Sequence, residues 1–273
     1  MRIRISGTKS NYRENYYKTM KIQYSSDLHL ELYDNAVFVG NNPFTVSGDV
    51  LVLAGDVLPL REFDGYKKHT FFDWCSASFR ETLIIPGNHE YYNDKVDKYP
   101  ESWEMELRPN VRMYENRTVV IDNVEFILST MWTKIPDRDW LKLKRGLNDF
   151  RCIRTVAGSF TAFDYNALHE RDLAFIQDAV ANSNAEHKVV VTHHVPSELL
   201  VDPEFVGSDI GKGFTVDLTK YIKKSKVDVW IYGHSHRSID ATIGKTRVVS
   251  NQLGYVCYRE FRNNFIGDKF IEV

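Results

Sequence analysis

A chain of 273 residues with 43% hydrophobic and 26% charged side chains can bury a substantial core, which excludes a disordered or low-complexity polymer and points to one domain. Thirty-five basic against 37 acidic side chains give a formal net charge of -2, without the strongly basic balance of sequence-independent nucleic-acid binders, although a local basic rim is compatible with it. No run approaches the roughly 18 to 20 apolar residues of a membrane span, and residues 1–19 are too polar for a signal peptide, so a cytoplasmic protein without a membrane partner is expected.

The first 19 residues carry Arg2, Arg4, Lys9, Arg13 and Lys18 against one acid, Glu14, with little periodicity. They are expected to form a flexible N-terminal arm or to lie upstream of the true start, with a single domain over 20–273. From Met20 the pattern changes to short apolar runs that each stop at a polar cluster, the signature of strands buried on both faces. Residues 21–25 lead into Ser26-Asp27-Leu28-His29, 50–54 into Gly55-Asp56, and 83–85 into Pro86-Gly87-Asn88-His89-Glu90. Helices are expected over 70–79, 161–181 and 216–224. In the second of these Leu168, Phe175, Ile176 and Ala179 share a face, and Thr161 followed by Asp164 resembles a capping box.

The runs at 119–121 and 124–128 flank Asp122-Asn123, a link suited to a hairpin. Later, 189–191 leads into Thr192-His193-His194, 227–232 into Gly233-His234-Ser235-His236, and 246–249 reads as a further strand. The irregular, glycine- and proline-punctuated stretch 196–215 is expected to form a loop over a site. Cys75, Cys152 and Cys257 are odd in number and lack close pairing, so reduced, buried thiols are expected. The pattern predicts an α/β fold of two stacked mixed sheets with helices outside.

Six of the nine histidines, His29, His89, His193, His194, His234 and His236, stand just past the C-terminal ends of apolar strands, where open α/β sheets bind ligands. Asp27, Asp56 and Asn88 hold equivalent places. Buried carboxylates need a counter-charge, and a pair of divalent cations about 3.5 to 4 Å apart would satisfy both acids and imidazoles. Imidazole, carboxylate and amide without thiolate suit manganese, iron, zinc, nickel or cobalt better than calcium.

Asp27-Leu28-His29, Gly55-Asp56, Gly87-Asn88-His89-Glu90, His193 and Gly233-His234-Ser235-His236 occur in the order and rough spacing of the calcineurin-like metallophosphoesterase superfamily. The resemblance runs from about Met20 to the C-terminus and is nearest to the small bacterial and phage type of phosphohydrolase. It implies a four-layer αββα sandwich and a cofactor of two divalent metal ions, manganese being the first expectation. It implies that Asp27, His29 and His236 hold one metal, that Asn88, His193 and His234 hold the other, and that Asp56 bridges them. A metal-bridging hydroxide would then attack phosphorus in line, with His89 as the catalytic acid at the leaving oxygen. Glu90 is expected to orient His89, and His194, Tyr91, Trp132 and Arg237 to stand behind the ligands or against the substrate.

The chain departs from several branches of that superfamily. Val57-Leu58 replaces the Asp-Arg-Gly continuation of the Ser/Thr protein phosphatases, Pro59 stands where purple acid phosphatases supply a tyrosine, and His89 where lipid A precursor hydrolases carry an arginine. The resemblance therefore implies hydrolysis of small phosphodiesters or phosphomonoesters. A nuclease of the same superfamily is the alternative, and a non-catalytic scaffold is disfavoured because every ligand position is filled. The sequence leaves the oligomeric state open.

Overall fold

The structure, a computed structural model, describes residues 2–5, 19–42, 44–62 and 69–273. Its strands follow the apolar runs. β1 is Arg2–Ile5, β2 Lys21–Ser25, β3 Val50–Ala54, β4 Glu81–Ile85, β5 Trp103–Arg108, β6 Val111–Glu115, β7 Arg117–Ile121 and β8 Val124–Leu128. A two-residue pair, β9 Arg154–Thr155 and β10 Gly158–Ser159, precedes β11 His187–Val191, β12 Val229–Tyr232, β13 Asp240–Ile243, β14 Thr246–Ser250 and β15 Phe270–Glu272. The helices are α1 Tyr33–Asn41, α2 Thr70–Ser78, α3 Trp140–Gly146, α4 Asp149–Cys152, α5 Ala162–Asn182 and α6 Thr219–Lys224.

Two sheets result, six strands in the order β15-β2-β3-β4-β6-β5 and seven in the order β1-β7-β8-β11-β12-β14-β13. Their centres are parallel, β2 through β4 to β6 in one and β8 through β11 and β12 to β14 in the other, with antiparallel pairs at β15/β2, β5/β6, β7/β8 and β13/β14. Side chains alternate along each strand, so both faces must be covered. Val50, Val52 and Ala54 of β3 meet Phe126, Leu128, Val189 and Val191 in the core between the sheets. Leu51 and Leu53 point the other way, onto Phe71, Phe72 and Cys75 of α2. On the far side Val190, Trp230 and Val248 pack against Ile176 of α5 and Ile222 of α6. The four-layer αββα sandwich is therefore present.

Thr161 and Asp164 close a reciprocal capping box at the start of α5, and the Asp122-Asn123 hairpin joins β7 to β8 antiparallel. α6 begins three residues later than expected because Val216 donates its amide to the Val195 carbonyl, which holds 215–218 against the strand end. The expected arm over 1–19 falls for the most part outside the described residues; of it, Arg2–Ile5 runs parallel to β7. All three cysteines are free, but only Cys75 is buried, while Cys152 is half-buried and Cys257 exposed. Among the described residues no helix is long and apolar enough to cross a membrane.

An ion network ties the sandwich together beside the site. Arg171 of α5 donates to Glu115 at 2.7 Å and to Asp172 at 2.8 Å, and both carboxylates are buried. Glu115 also accepts from the Thr130 amide, and Asp172 from Asn116. Burial, then the charge of Asp172, pushes the Glu115 carboxyl up to about 8, so the guanidinium is what makes the pair tolerable. Arg171→Met is expected to lower unfolding stability by about 3 kcal/mol, because it strands two buried acids. Urea denaturation at neutral pH measures this; a loss below about 1 kcal/mol would show that the network is offset by its own desolvation.

Candidate metal centre

The C-terminal ends of β2, β3, β4, β11 and β12 converge on one edge of the sandwich, where the two sheets touch through the bridge from Ser26 to Gln252. Each strand stops in a tight turn. Asp27, His29, Asp56, His234 and His236 all have positive φ, between 45° and 75°. Non-glycine residues avoid this conformation, at a cost of order 1–3 kcal/mol each, and it persists where surrounding bonds over-determine it. Here the amides of Asp27 and His29 donate to the carbonyls of Gly55 and Asp56, and the His234 amide donates to the Asp27 carboxylate at 3.0 Å. The strained turns aim Asp27 and His29, and likewise His234 and His236, at the same centre. Gly87 lets the β4 turn approach, since a Cβ there would lie 2.2 Å from Asp56 Oδ1.

The donor atoms form three groups among the described residues, one of them His29, Glu31 and His89, and the other two carry the expected ligands. Asp27, His29 and His236 are one triad whose ligand atoms lie within 4.8 Å of one another; Asp56, His193 and His234 are another. His29 Nε2 and His236 Nε2 face each other at 3.2 Å, and His236 Nε2 lies 3.4 Å from Asp27 Oδ1. On the other side His193 Nε2 is 3.1 Å from both Asn88 Oδ1 and His234 Nδ1. Asp56 reaches both, with Oδ2 3.8 Å from His29 Nε2 and Oδ1 3.4 Å from His193 Nε2.

Hydrogen bonds behind these donors decide which atoms carry lone pairs. His193 Nδ1 donates to the Ala54 carbonyl at 2.8 Å, His236 Nδ1 to Glu260 at 2.6 Å and His29 Nδ1 to Glu31 at 3.2 Å. The Asn88 amide nitrogen donates to Asp149 at 2.8 Å, and this turns its oxygen toward His193. Each outward proton leaves the inward nitrogen as an acceptor, so imidazole lone pairs, an amide oxygen and two carboxylates point at one another. His234 presents Nδ1 to His193, while its Nε2 is buried without a hydrogen-bond partner among the described residues. Such a cluster is repulsive unless cations fill it, and its nitrogen-oxygen set suits divalent ions of the first transition row. Burial alone would raise the Asp56 carboxyl, but the imidazoles of His193, His89 and His29 hold it well below the ordinary carboxylate range.

His89 stands beside these two triads and forms the third group with His29 and Glu31. Its ring stacks on Tyr92 at 4.0 Å, Nδ1 lies 3.5 Å from Glu31 Oε1, and Nε2 lies 3.4 Å from the Tyr255 hydroxyl. Burial opposes its protonation, yet Asp56 and Glu31 hold it above the ordinary imidazole value. Glu31 therefore contacts both His29 and His89.

The remaining expected site residues fall elsewhere. Glu90 does not orient His89: its buried carboxylate accepts from the amides of Asp56, Val57 and Gly87 at 2.7–2.9 Å and ties the β3 and β4 turns together. Tyr91 turns into the hydrophobic core, against Tyr99 and Trp132. Trp132 is fully buried and packs on His194, which in turn lies 4.4 Å from the His234 ring and is held by Tyr165. Burial and the neighbouring His193 push His194 down to about 3, so it is a neutral support beneath the centre. Arg237 lines the cavity above the site, with its guanidinium paired to Asp202. Glu31, Tyr255 and Glu260 complete the site without having been selected from the sequence.

A family model described as calcineurin-like phosphoesterase matches residues 20–238. An uncharacterized protein of Acanthamoeba polyphaga mimivirus is 27% identical over 277 aligned positions, covering 92% of this chain and 96% of that one. Among solved structures, phosphopantetheinyl hydrolase from Mycobacterium tuberculosis superposes with a TM-score of 0.64 at 15% identity, over 93% of this chain and 95% of its own. A dimetal phosphatase from Danio rerio gives a TM-score of 0.42 at 13% identity, over 85% and 87% of the two chains. With that family model spanning most of the chain, from β2 to the His234-Ser235-His236 turn, the protein belongs to the calcineurin-like phosphoesterases and is a metal-dependent hydrolase of phosphoric esters.

Proposed function

We propose that the protein hydrolyses phosphodiester or phosphomonoester bonds of small molecules at a dinuclear centre. Asp27, His29 and His236 would hold one divalent ion and Asn88, His193 and His234 the other, with Asp56 available to both. The observation that carries this reading is that Asp56, grouped with His193 and His234, also turns its second oxygen toward His29 of the neighbouring triad. When bound, the ions supply Lewis-acid stabilisation of the phosphoryl oxygens and an activated water.

The chain's own residues do the rest. Glu260, Glu31 and the Ala54 carbonyl fix the imidazole tautomers, and Asp149 fixes the Asn88 amide. Glu90 holds the turns that set the spacing of Asp56 and Asn88. His89, at the rim and hydrogen-bonded through Nε2 to the Tyr255 hydroxyl, gives its proton to the departing oxygen. Manganese is the first metal to try, because the donor set mixes imidazole with hard oxygen ligands.

Chelator-stripped protein is expected to lose turnover of an aryl phosphodiester and its monoester, and to regain it with added manganese. The ratio of the two rates then separates phosphodiesterase from phosphatase. Turnover unchanged by chelation would overturn the proposal. Metal-dependent cutting of DNA or RNA with steep salt dependence, and no turnover of small esters, would favour the nuclease alternative.

A further inference from the structure

The cavity over the candidate metal centre extends beyond the donor residues. It has a volume of about 420 Å³, within the range of small-molecule sites, and reaches from Asp56, Asn88, His234 and His236 to a slot under the 196–215 segment. The slot is walled by Leu147, Val195, Leu200, Phe205, Ile210 and Phe214. Phe214 stacks on the His234 ring at 4.7 Å, so the apolar wall begins at the metal-site imidazole itself. Gly146, at the end of α3, allows the opposite wall to close, since a Cβ there would lie 2.3 Å from Ile210 Cγ2. Leu199, Phe205 and Val206 of the same segment are 57–71% exposed and extend the apolar surface to the protein's exterior.

The charges along the cavity favour a neutral occupant. Among the described lining residues other than histidine, Arg237 is the one cation, and it is paired with Asp202. Asp149, Asp202 and Glu260 also line the space. Lys212, within the segment, and Lys142, on α3, are engaged by Glu198 and Asp209. A second phosphate, or a nucleic-acid backbone, would meet carboxylates and a guanidinium already in use, whereas an aryl or alkyl group would shed water against aliphatic and aromatic walls.

We propose that the slot selects phosphate esters carrying an uncharged apolar group, aryl or medium-length alkyl, seated between α3 and the 196–215 segment. This deepens the phosphoesterase reading and rests on it for the anchoring of the phosphoryl group. The test uses methylphosphonate and hexylphosphonate as non-hydrolysable probes, titrated calorimetrically into protein equilibrated with manganese. The same protein is assayed on nitrophenyl methyl and nitrophenyl hexyl phosphate.

The hexyl probe is expected to bind about tenfold or more tightly than the methyl probe, since five further methylenes leave water. Its heat-capacity change should be the more negative. The hexyl diester should show the lower KM. Phe205→Ser, at an exposed position, and Ile210→Ser should each shrink the hexyl-to-methyl affinity ratio to threefold or less. Equal affinity of the two probes, with both diesters turned over, overturns the slot and leaves the phosphoesterase reading standing. A preserved hexyl preference without turnover of either diester supports the slot and strikes the hydrolytic reading. A variant ratio unchanged from the parent's overturns the placement of the apolar group.

Discussion

Asp56→Asn is expected to cut turnover of any phosphate ester by about 10³-fold and to leave the chain with one bound ion or none, against the two proposed for the parent. The substitution is nearly isosteric, and an amide oxygen at the Oδ1 position still accepts the His89 amide now bonded there at 2.9 Å. The turn can therefore survive. What is lost is a negative charge shared by two sites, leaving Asp27 as the one carboxylate among the seven donors. Two dications a few ångströms apart repel strongly in a buried site, and neutral imidazoles do not screen that repulsion. The supporting shell responds as well: Glu90, whose carboxyl is pushed up to about 8 by burial and then by Asp56, loses the second of these pressures and shifts toward its ordinary value. Metal analysis of the purified variant, beside a circular dichroism spectrum that matches the parent's, separates loss of ions from loss of fold. Two ions per chain with full turnover would remove Asp56 from the bridging position.

The seven donors were legible because each lies within a few residues of an apolar strand, in a turn whose local sequence carries the signal. The alternating faces of β3, with Leu51 and Leu53 opposite Val50, Val52 and Ala54, made the double burial readable as a continuous apolar run. Apart from Glu31, two residues after His29, the partners that orient the donors and His89 were not readable in this way. Glu260 serves His236 from 24 residues away, Asp149 serves Asn88 from 61, and Tyr255 reaches His89 across 166. Such separations exist only once the two sheets are stacked.

Glu90 shows the opposite error, in which nearness along the chain misleads. His89–Tyr91 forms a single 3-10 turn, and consecutive side chains there diverge by about 120°. His89 therefore faces the site, Glu90 the amides of the β3 turn and Tyr91 the core. The helices that escaped the sequence, α1, α3 and α4, have no side-chain cap bond at their N-termini. α1 has Leu32 at its N-cap without a side-chain cap bond and buries Asn35, which spends its amide on the carbonyls of Leu28 and Gly254. Tertiary bonds, not periodicity, hold it in place.

His89→Gln is expected to lower kcat by about 10²- to 10³-fold for an ester with an alkyl leaving group, and by less than about tenfold for the corresponding nitrophenyl ester. The contrast follows from the proton. An alkoxide is too basic to depart unaided, whereas nitrophenolate leaves near neutral pH without one. The His89 ring is clamped on three sides, by Tyr92 at 4.0 Å, by the Glu31 carboxylate and by the Tyr255 hydroxyl, so its Nε2 has a fixed direction from which to donate. Glu31→Gln separates orientation from ligation, because Glu31 serves both His89 and His29. It should reproduce part of the leaving-group effect and also weaken metal binding by about 10-fold or more, as loss of a carboxylate behind a ligating imidazole does. His89→Gln should leave metal affinity near the parent's, since its ring belongs to neither of the two groups proposed to hold the ions, although it lies with His29 and Glu31 in a third. Equal losses on the alkyl and nitrophenyl esters would instead place His89 in binding the phosphoryl oxygens, and a loss of bound metal in His89→Gln would move it into the centre itself.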